Sequence, residues 1–264
     1  MTWGVSRLRV TIGGSVALDR IDLVAAPGRV VAVVGGDGAG KTTLCRVMAG
    51  LPFPHRGTVA LPERRRIGYV PAAGGVFADL TVAENLEFVG SAHGIRNAVA
   101  AAGPLLERSN LAPYGDRLAG HLSGGMRRKL AVVTALLHEP ALLVLDEPTT
   151  GIDPVSRSDL WRLIAAAASS GAAVVLASAY LDEAERAASV LVLHEGRVVV
   201  EGPPDQVRAA MPGAVIDTNE PTDRSRAWRR GARWREWIPA GHPDGLPPDL
   251  EDVVIVAVLG GGAA

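Results

Sequence analysis

The chain has 264 residues, enough for one large α/β domain and an appendage. Apolar residues make up 48% of it, so a sizeable core can form and global disorder is excluded. A net charge of −1 gives no whole-protein field to draw nucleic acid or an anionic membrane.

Residues 2–35 read as strands with glycine turns, ending in Arg29-Val-Val-Ala-Val-Val34. That run is a strand buried on both faces that feeds a glycine-rich loop. A helix follows through Met48 and is closed by Gly50. Ile67-Gly-Tyr-Val70 is a short strand, and Thr81-Val-Ala-Glu84 is a capping box that opens a helix. The chain to about 138 is then largely helical, with breaks at Gly103-Pro104 and Pro113. A regular alternation comes next: strand 141–145, helix 154–168, strand 172–177, helix 180–188, strand 189–194 and strand 197–201. Asp153-Pro154 starts the first of these helices, with Asp at the N-cap and Pro at N1. Such alternation implies a mainly parallel sheet covered on both faces.

One cysteine, Cys45, cannot form an internal disulfide, which fits a reducing compartment and a packing role. The first residues lack an apolar signal-peptide core. Leu163 to Leu181 carries no charge for 19 residues, but Ser169-Ser170-Gly171 interrupts it. It reads as helix, turn and buried strand rather than a membrane span, so a soluble chain is expected.

Three strings carry chemistry. Gly35-Gly36-Asp37-Gly38-Ala39-Gly40-Lys41-Thr42-Thr43 fits G-x-x-x-x-G-K-[ST]. Its glycines let backbone N–H groups turn inward around phosphates, Lys41 can reach the β/γ oxygens, and the Thr42 hydroxyl can ligate Mg²⁺. The buried strand before it argues against a chance Gly-Lys turn. Leu142-Leu143-Val144-Leu145-Asp146-Glu147 is an apolar strand ending in two carboxylates. Asp146 needs a cation or hydrogen bonds there to remain charged, and Mg²⁺ held through water would supply the first. Glu147 points differently and can orient an attacking water. Leu122-Ser123-Gly124-Gly125-Met126 opens a helix whose bare N-terminus suits an anion.

With these strings in this order, the chain resembles the ATP-binding subunit of ABC transporters, in the drug and antibiotic exporter-like group. The resemblance covers about residues 3–210. It implies a three-layer α/β P-loop ATPase core with an N-terminal antiparallel β subdomain and a helical subdomain within about 75–137. Residues 1–210 would form that domain and 211–264 a C-terminal extension; the Leu250-Glu-Asp-Val-Val ending resembles the close of exporter-type subunits. It further implies ATP and Mg²⁺ as ligands and a head-to-tail dimer with a second ABC ATPase subunit. Each site would take Ser123-Gly124-Gly125 from the partner, with Asp153 at the D-loop between the two sites. Phe77 to Phe88 falls where family members contact a membrane permease. The chain would then sit on the cytoplasmic face of the membrane and power export, with no nucleic-acid partner.

Three positions depart from the family pattern. Ile12 stands where an adenine-stacking aromatic is usual, and no aromatic occurs between Trp3 and Phe53. Ala72 follows Pro71 where the family has its Q-loop glutamine; the one glutamine of the chain is Gln206. Ala179 takes the place of the switch histidine in Ser178-Ala179-Tyr180-Leu181. Loss of π stacking costs on the order of 1 kcal/mol, and each lost donor to transition-state charge roughly 3–4 kcal/mol. Two readings follow: a homodimer whose sites both turn over, or an asymmetric pair in which this chain binds ATP and lends its signature helix. All three losses strike one cis site, which favours the second. The six histidines show no metal spacing. Residues 224–237 hold six arginines and three tryptophans, read as arginine stems lying over tryptophan on a charge-balanced surface.

Overall fold

The computed structural model describes residues 1–261; the last three residues of the Gly/Ala tail lie outside it. β1 (Trp3–Ile12) and β2 (Ser15–Ala25) pair antiparallel around Gly13-Gly14, both in the left-handed region at φ 57° and 84°. β3 (Val30–Val34) is buried at every position and runs through the loop into α1 (Lys41–Met48). β4 (His55–Ala60) returns to β1, giving a first sheet of order β2-β1-β4. β5 (Ile67–Val70) then enters the main sheet.

α2 (Val82–Ala92) opens with the expected capping box: the Thr81 hydroxyl accepts from Glu84 N, and Thr81 N donates to the Glu84 carboxylate. Two short helices follow, α3 (Ala98–Ala101) and α4 (Gly103–Arg108), and then the long α5 (Gly124–Leu136). Gly103-Pro104 marks a break, as expected: α3 ends at Ala101 and α4 begins at Gly103, with Pro104 in its first turn, where its missing N–H is not needed. A further interruption comes earlier, at Gly94 with φ 71°.

β6 (Leu142–Asp146), α6 (Pro154–Ser169), β7 (Ala173–Ser178), α7 (Leu181–Ala184), β8 (Ser189–His194) and β9 (Arg197–Gly202) complete the main sheet. The uncharged stretch therefore divides into α6 and β7, and no helix among the described residues is long and apolar enough to cross a membrane. α7 is shorter than the expected 180–188. Ala188 N already pairs with Val30 O at 2.9 Å, so the chain must leave the helix to join the sheet.

The main sheet has the order β5-β6-β7-β3-β8-β9, parallel except for β9. Its faces bury two clusters. Val30, Ala32 and Val34 point to the α5/α6 side, while Val31 and Val33 meet Leu44 and Met48 of α1 and Leu8, Leu18 and Ile21 of the first sheet. Strands covered on both sides explain the unbroken apolar runs. The result is the three-layer α/β arrangement anticipated from the sequence.

Beyond α8 (Pro204–Ala209), the chain forms an antiparallel sheet that the sequence had not announced. It consists of β10 (Ala214–Thr218), β11 (Ala227–Arg230) and β12 (Arg233–Ile238), in the order β10-β12-β11, followed by α9 (Leu250–Gly261). The Arg/Trp segment builds β11 and β12. Arg224 and Arg229 lie over the Trp234 ring at 5.9 and 4.6 Å, and Arg226 lies over Trp237 at 5.9 Å. Arg230 and Arg235 instead pair with Asp249 and Asp252 at the start of α9.

Glu236 is buried and accepts from Thr222 N at 3.0 Å, Thr222 Oγ1 at 2.8 Å and Asp223 N at 2.8 Å. Burial pushes its pKa up, yet these donors outweigh it and hold the carboxyl below its usual value. Glu236→Ala would strand all three donors and is expected to cost about 2–4 kcal/mol. Chemical denaturation would measure that loss, and limited proteolysis should show the segment after Met211 opening first. Glu236→Gln should recover part of the loss.

Candidate functional site

In a parallel sheet the strands end together. Val34 lies opposite Ser178, and Asp146 opposite Ala177, so the carboxyl ends of β3, β6 and β7 form one rim. The glycine loop leaves β3 there. Two of its glycines are fixed by close approach: a Cβ on Gly35 would meet Leu193 O at 2.3 Å, and one on Gly40 would meet Leu18 Cδ2 at 2.7 Å. Gly40 also has φ 105°, which a side chain would resist. Gly36, Asp37 and Gly38 are exposed at the crest, Ala39 is buried under it, and Thr43 is half-buried on α1. The crest thus presents backbone N–H groups ahead of the positive end of α1.

Lys41 is only 6% exposed. Its Nζ donates to Gly35 O at 2.8 Å and Gly36 O at 3.2 Å, and lies 3.2 Å from Glu147 Oε1. The lysine therefore spans the loop and the end of β6. Beside it, Thr42 Oγ1 donates to Asp146 Oδ1 at 3.2 Å.

Asp146 is fully buried, and burial raises its carboxyl pKa against the opposing Thr42 hydrogen bond. The Ala72 N–H faces this carboxyl and favours its charged form, but Oδ2 is buried without a hydrogen-bond partner. An orphaned carboxylate oxygen beside a threonine hydroxyl is an incomplete all-oxygen donor set. It suits Mg²⁺, which keeps its remaining positions for phosphate and water.

Glu147 has φ 50°, in the left-handed region, and that costs on the order of 1 kcal/mol for a non-glycine residue. Its N–H nonetheless pairs with Ala177 O at 2.9 Å. The twist turns Glu147 away from the Asp146 direction and out toward Lys41, so adjacent carboxylates occupy different environments.

The signature helix is arranged differently. Ser123 caps α5 by accepting from Met126 N at 3.2 Å. A Cβ on Gly125 would meet Ser156 Oγ at 2.4 Å, whereas one on Gly124 would meet nothing within 4 Å. Gly125 is therefore needed for α5 to approach the start of α6, and Gly124 is free on the surface beside exposed Ser123. Asp153 caps α6 by accepting from Ser156 N at 2.9 Å, and that bond holds its carboxyl below the usual range. The structure thus brings Gly125 and Asp153 together. Among the described residues, no hydrogen bond or ion pair joins Ser123-Gly124-Gly125 to the Lys41 loop of the same chain.

Two of the three departures follow strand ends of the main sheet: Ala72 is half-buried after Pro71, and Ala179 is exposed immediately after Ser178; Ile12 is 46% exposed at the end of β1 in the first sheet. Two further residues escaped the sequence reading. Glu183 is buried and accepts from Thr149 Oγ1 at 2.9 Å and Ser178 Oγ at 2.6 Å, tying the segment after β6 to the end of β7. Arg128 reaches from α5 to the loop after β5, donating to Ala72 O at 2.7 Å and Pro71 O at 3.4 Å. Neither belongs to a motif; only the tight turn after β7 and the doubled arginine of α5 mark them in the sequence.

Comparison with known proteins gives one answer throughout. The sequence model of the ABC transporter family matches residues 18–150. A probable multidrug ABC transporter ATP-binding protein of Escherichia coli, YbhF, is 36% identical over 222 residues, taking in 80% of this chain and 38% of the relative. A daunorubicin resistance ATP-binding protein of Streptomyces coeruleorubidus, DrrA3, is 40% identical over 218 residues, taking in 78% of this chain and 69% of the relative. A solved ATP-binding subunit of an ABC transporter superposes with a TM-score of 0.72 at 30% identity, covering 79% of this chain and 92% of that one. With the phosphate loop, the strand-end carboxylates and the signature helix all in place, this chain belongs to the ABC transporter ATP-binding family.

Proposed function

We propose that the chain binds ATP with Mg²⁺ at the Lys41 loop and hydrolyses it as the ATP-binding subunit of an exporter with a separate membrane permease. The observation that carries this reading is the convergence of Lys41, Thr42, Asp146 and Glu147 at one rim, with Asp146 Oδ2 left unpaired. Residues Gly35 to Thr43 would cradle the phosphates with their N–H groups, and Lys41 would exchange its carbonyl partners for phosphate oxygens. Thr42 and Asp146 would hold Mg²⁺, which when bound offsets the charge of the β/γ phosphates. Glu147, turned out by its backbone, would orient water. Exposed Ile12 offers the base an aliphatic surface in place of a ring.

The exposed Ser123-Gly124 end supports a head-to-tail pair with a second ABC ATPase subunit, since an anion site without a ligand in its own chain suits one supplied by another. Residues 1–210 would form the motor and 211–264 an appended extension. An edge-to-face pair, Phe77 and Phe88, lies 51% and 53% exposed with ring centroids 4.7 Å apart. Buried Asn85 fixes this surface: Phe77 N donates to it at 2.8 Å, and it donates to the carbonyls of Phe77, Leu80 and Thr81. A rigid, exposed aromatic pair suits a permease segment at the cytoplasmic face of the membrane. The relatives' names, drawn from drug handling and resistance, support export.

The bare rim at Ala72 and Ala179 supports a second reading, an ATP-binding partner in an asymmetric pair that turns over slowly at its own site. Steady-state ATPase activity beside ATP binding separates the two.

Lys41→Ala should abolish ATP binding, and retained affinity would overturn the phosphate-loop assignment. Glu147→Gln should keep ATP binding and lower turnover by about 100-fold or more. Restoring donors with Ala72→Gln and Ala179→His should raise turnover by about tenfold or more; an unchanged rate would place the limit elsewhere. Gly125→Ala should destabilise the chain by about 1–3 kcal/mol through its clash with Ser156. Gly124→Ala should leave the melting temperature unchanged while slowing the paired ATPase.

A further inference from the structure

Glu147 sits in a conformation that needs support. Its φ of 50° is left-handed, and it precedes Pro148, a position that favours extended backbone. A closed ring of hydrogen bonds surrounds that turn. Glu147 N donates to Ala177 O at 2.9 Å. The next residue, Ser178, donates from Oγ to Glu183 Oε2 at 2.6 Å, and Thr149 Oγ1 donates to the same oxygen at 2.9 Å. From Thr149 the chain returns to Glu147 through Pro148. Glu183 is the side chain that joins the two segments, and it is fully buried, as is Thr149. Ser178 Oγ also accepts from Tyr180 N at 3.0 Å, which fixes the turn through Ala179. Thr150, next to the clasped Thr149, donates to Glu147 Oε2 at 3.4 Å, so the Glu147 carboxylate itself leans on this turn. On the far side, Arg157 Nε lies 3.8 Å from Glu183 Oε1, and its guanidinium lies over the Tyr180 ring at 4.3 Å.

We propose that Glu183 is a positioning residue for Glu147: by accepting from Thr149 and Ser178 it closes the ring that keeps Glu147 turned toward the Lys41 loop. The inference rests on the reading that this chain's own site hydrolyses ATP with Glu147 orienting the water. Without the shared acceptor, both hydroxyls lose their partner and the turn is free to relax toward the extended backbone that a residue before proline favours. The carboxylate would then leave its place beside Lys41 Nζ, now 3.2 Å away. A displacement of about 1 Å at such a group can cost ~100-fold in rate. The phosphate loop lies outside the ring, so nucleotide binding would persist.

The test uses the full chain, with affinity read from a fluorescent ATP analogue and turnover from radiolabelled ATP. Glu183→Ala should keep affinity within about twofold of wild type and lower kcat by about tenfold or more. Glu183→Gln keeps a carbonyl oxygen for both hydroxyls and should recover most of that turnover. In a Glu147→Gln background, Glu183→Ala should lower the residual rate by less than about twofold, because the group it positions is gone. Wild-type turnover in Glu183→Ala would overturn the proposal, as would a Glu183→Gln rate as low as that of Glu183→Ala. So would a loss of affinity as large as the loss of turnover, or an undiminished loss in the Glu147→Gln background, either of which would mark a purely structural role. Should Glu183→Ala not fold, Thr149→Val and Ser178→Ala each open the ring at one bond, and wild-type turnover in both would overturn the proposal. A wild-type chain that binds the analogue without turning over ATP would instead defeat the underlying hydrolysis reading, and this inference with it.

Discussion

The constraint on which this structure turns is the burial of one carboxylate. Asp146 ends a strand enclosed on both faces, with no solvent to carry its charge. Its Oδ1 accepts from the Thr42 hydroxyl, its Oδ2 has no hydrogen-bond partner, and the Ala72 amide favours its charged form from nearby. Each neighbour comes from a different stretch of chain. Thr42 begins the helix after β3, Ala72 follows β5, and Glu147 and Lys41 meet next to it. Parallel pairing makes this convergence possible, because it sets every carboxyl end on the same side. The sheet is thus the scaffold on which a charge unfavourable in isolation would become the proposed site for a cation.

Buried polar pairs extend that order outward. Lys129 donates to Asp159 at 3.1 Å, and Asn110 donates to the same carboxylate at 3.2 Å, so α5, α6 and the turn after α4 share one anchor. Glu183 does the same for the segments after β6 and β7, with Arg157 Nε 3.8 Å from its other oxygen. Such groups tolerate few alternative packings, since any slip leaves a charge unpaired in a dry environment. They give the helix starts at Ser123 and Asp153 a defined relation to the sheet that carries Lys41.

Much of this was legible in the residues because the signals were local. A phosphate loop is a contiguous string whose glycines, lysine and threonine act on one ligand. The apolar runs of β3, β6 and β7 are equally local, as are the caps at Thr81, Ser123 and Asp153. What escaped depends on contacts across long separations. Arg128 and Ala72 are neighbours only after α5 folds against β5. Glu183 is buried in α7 by partners the local string does not mark, the hydroxyls of Thr149 after β6 and Ser178 at the end of β7. The strands β11 and β12 were hidden by their arginines, whose charges mask a β-propensity that Trp228, Trp234 and Trp237 supply.

The losses at Ile12, Ala72 and Ala179 are side-chain losses, and phosphate holding at this rim is mainly a backbone property. N–H groups of Gly36 to Gly40 and the end of α1 depend on glycine conformations that are intact. On the proposed function, binding and turnover would therefore rest on different atoms. Binding would draw on a loop fixed by close contacts with Leu18 and Leu193. Turnover would draw on donors around the transferred phosphate, where Ala72 and Ala179 offer only methyl groups. Lys41 leans on the carbonyls of Gly35 and Gly36 and on Glu147, whereas Arg128 leans on the carbonyls of Pro71 and Ala72. A nucleotide phosphate would compete for Lys41 and free Glu147 from it, whereas Arg128 would stay on the Ala72 peptide. On the proposed function, the arrangement would separate a cation that moves to the ligand from one that stays with the protein, and the second ties α5 to the loop after β5.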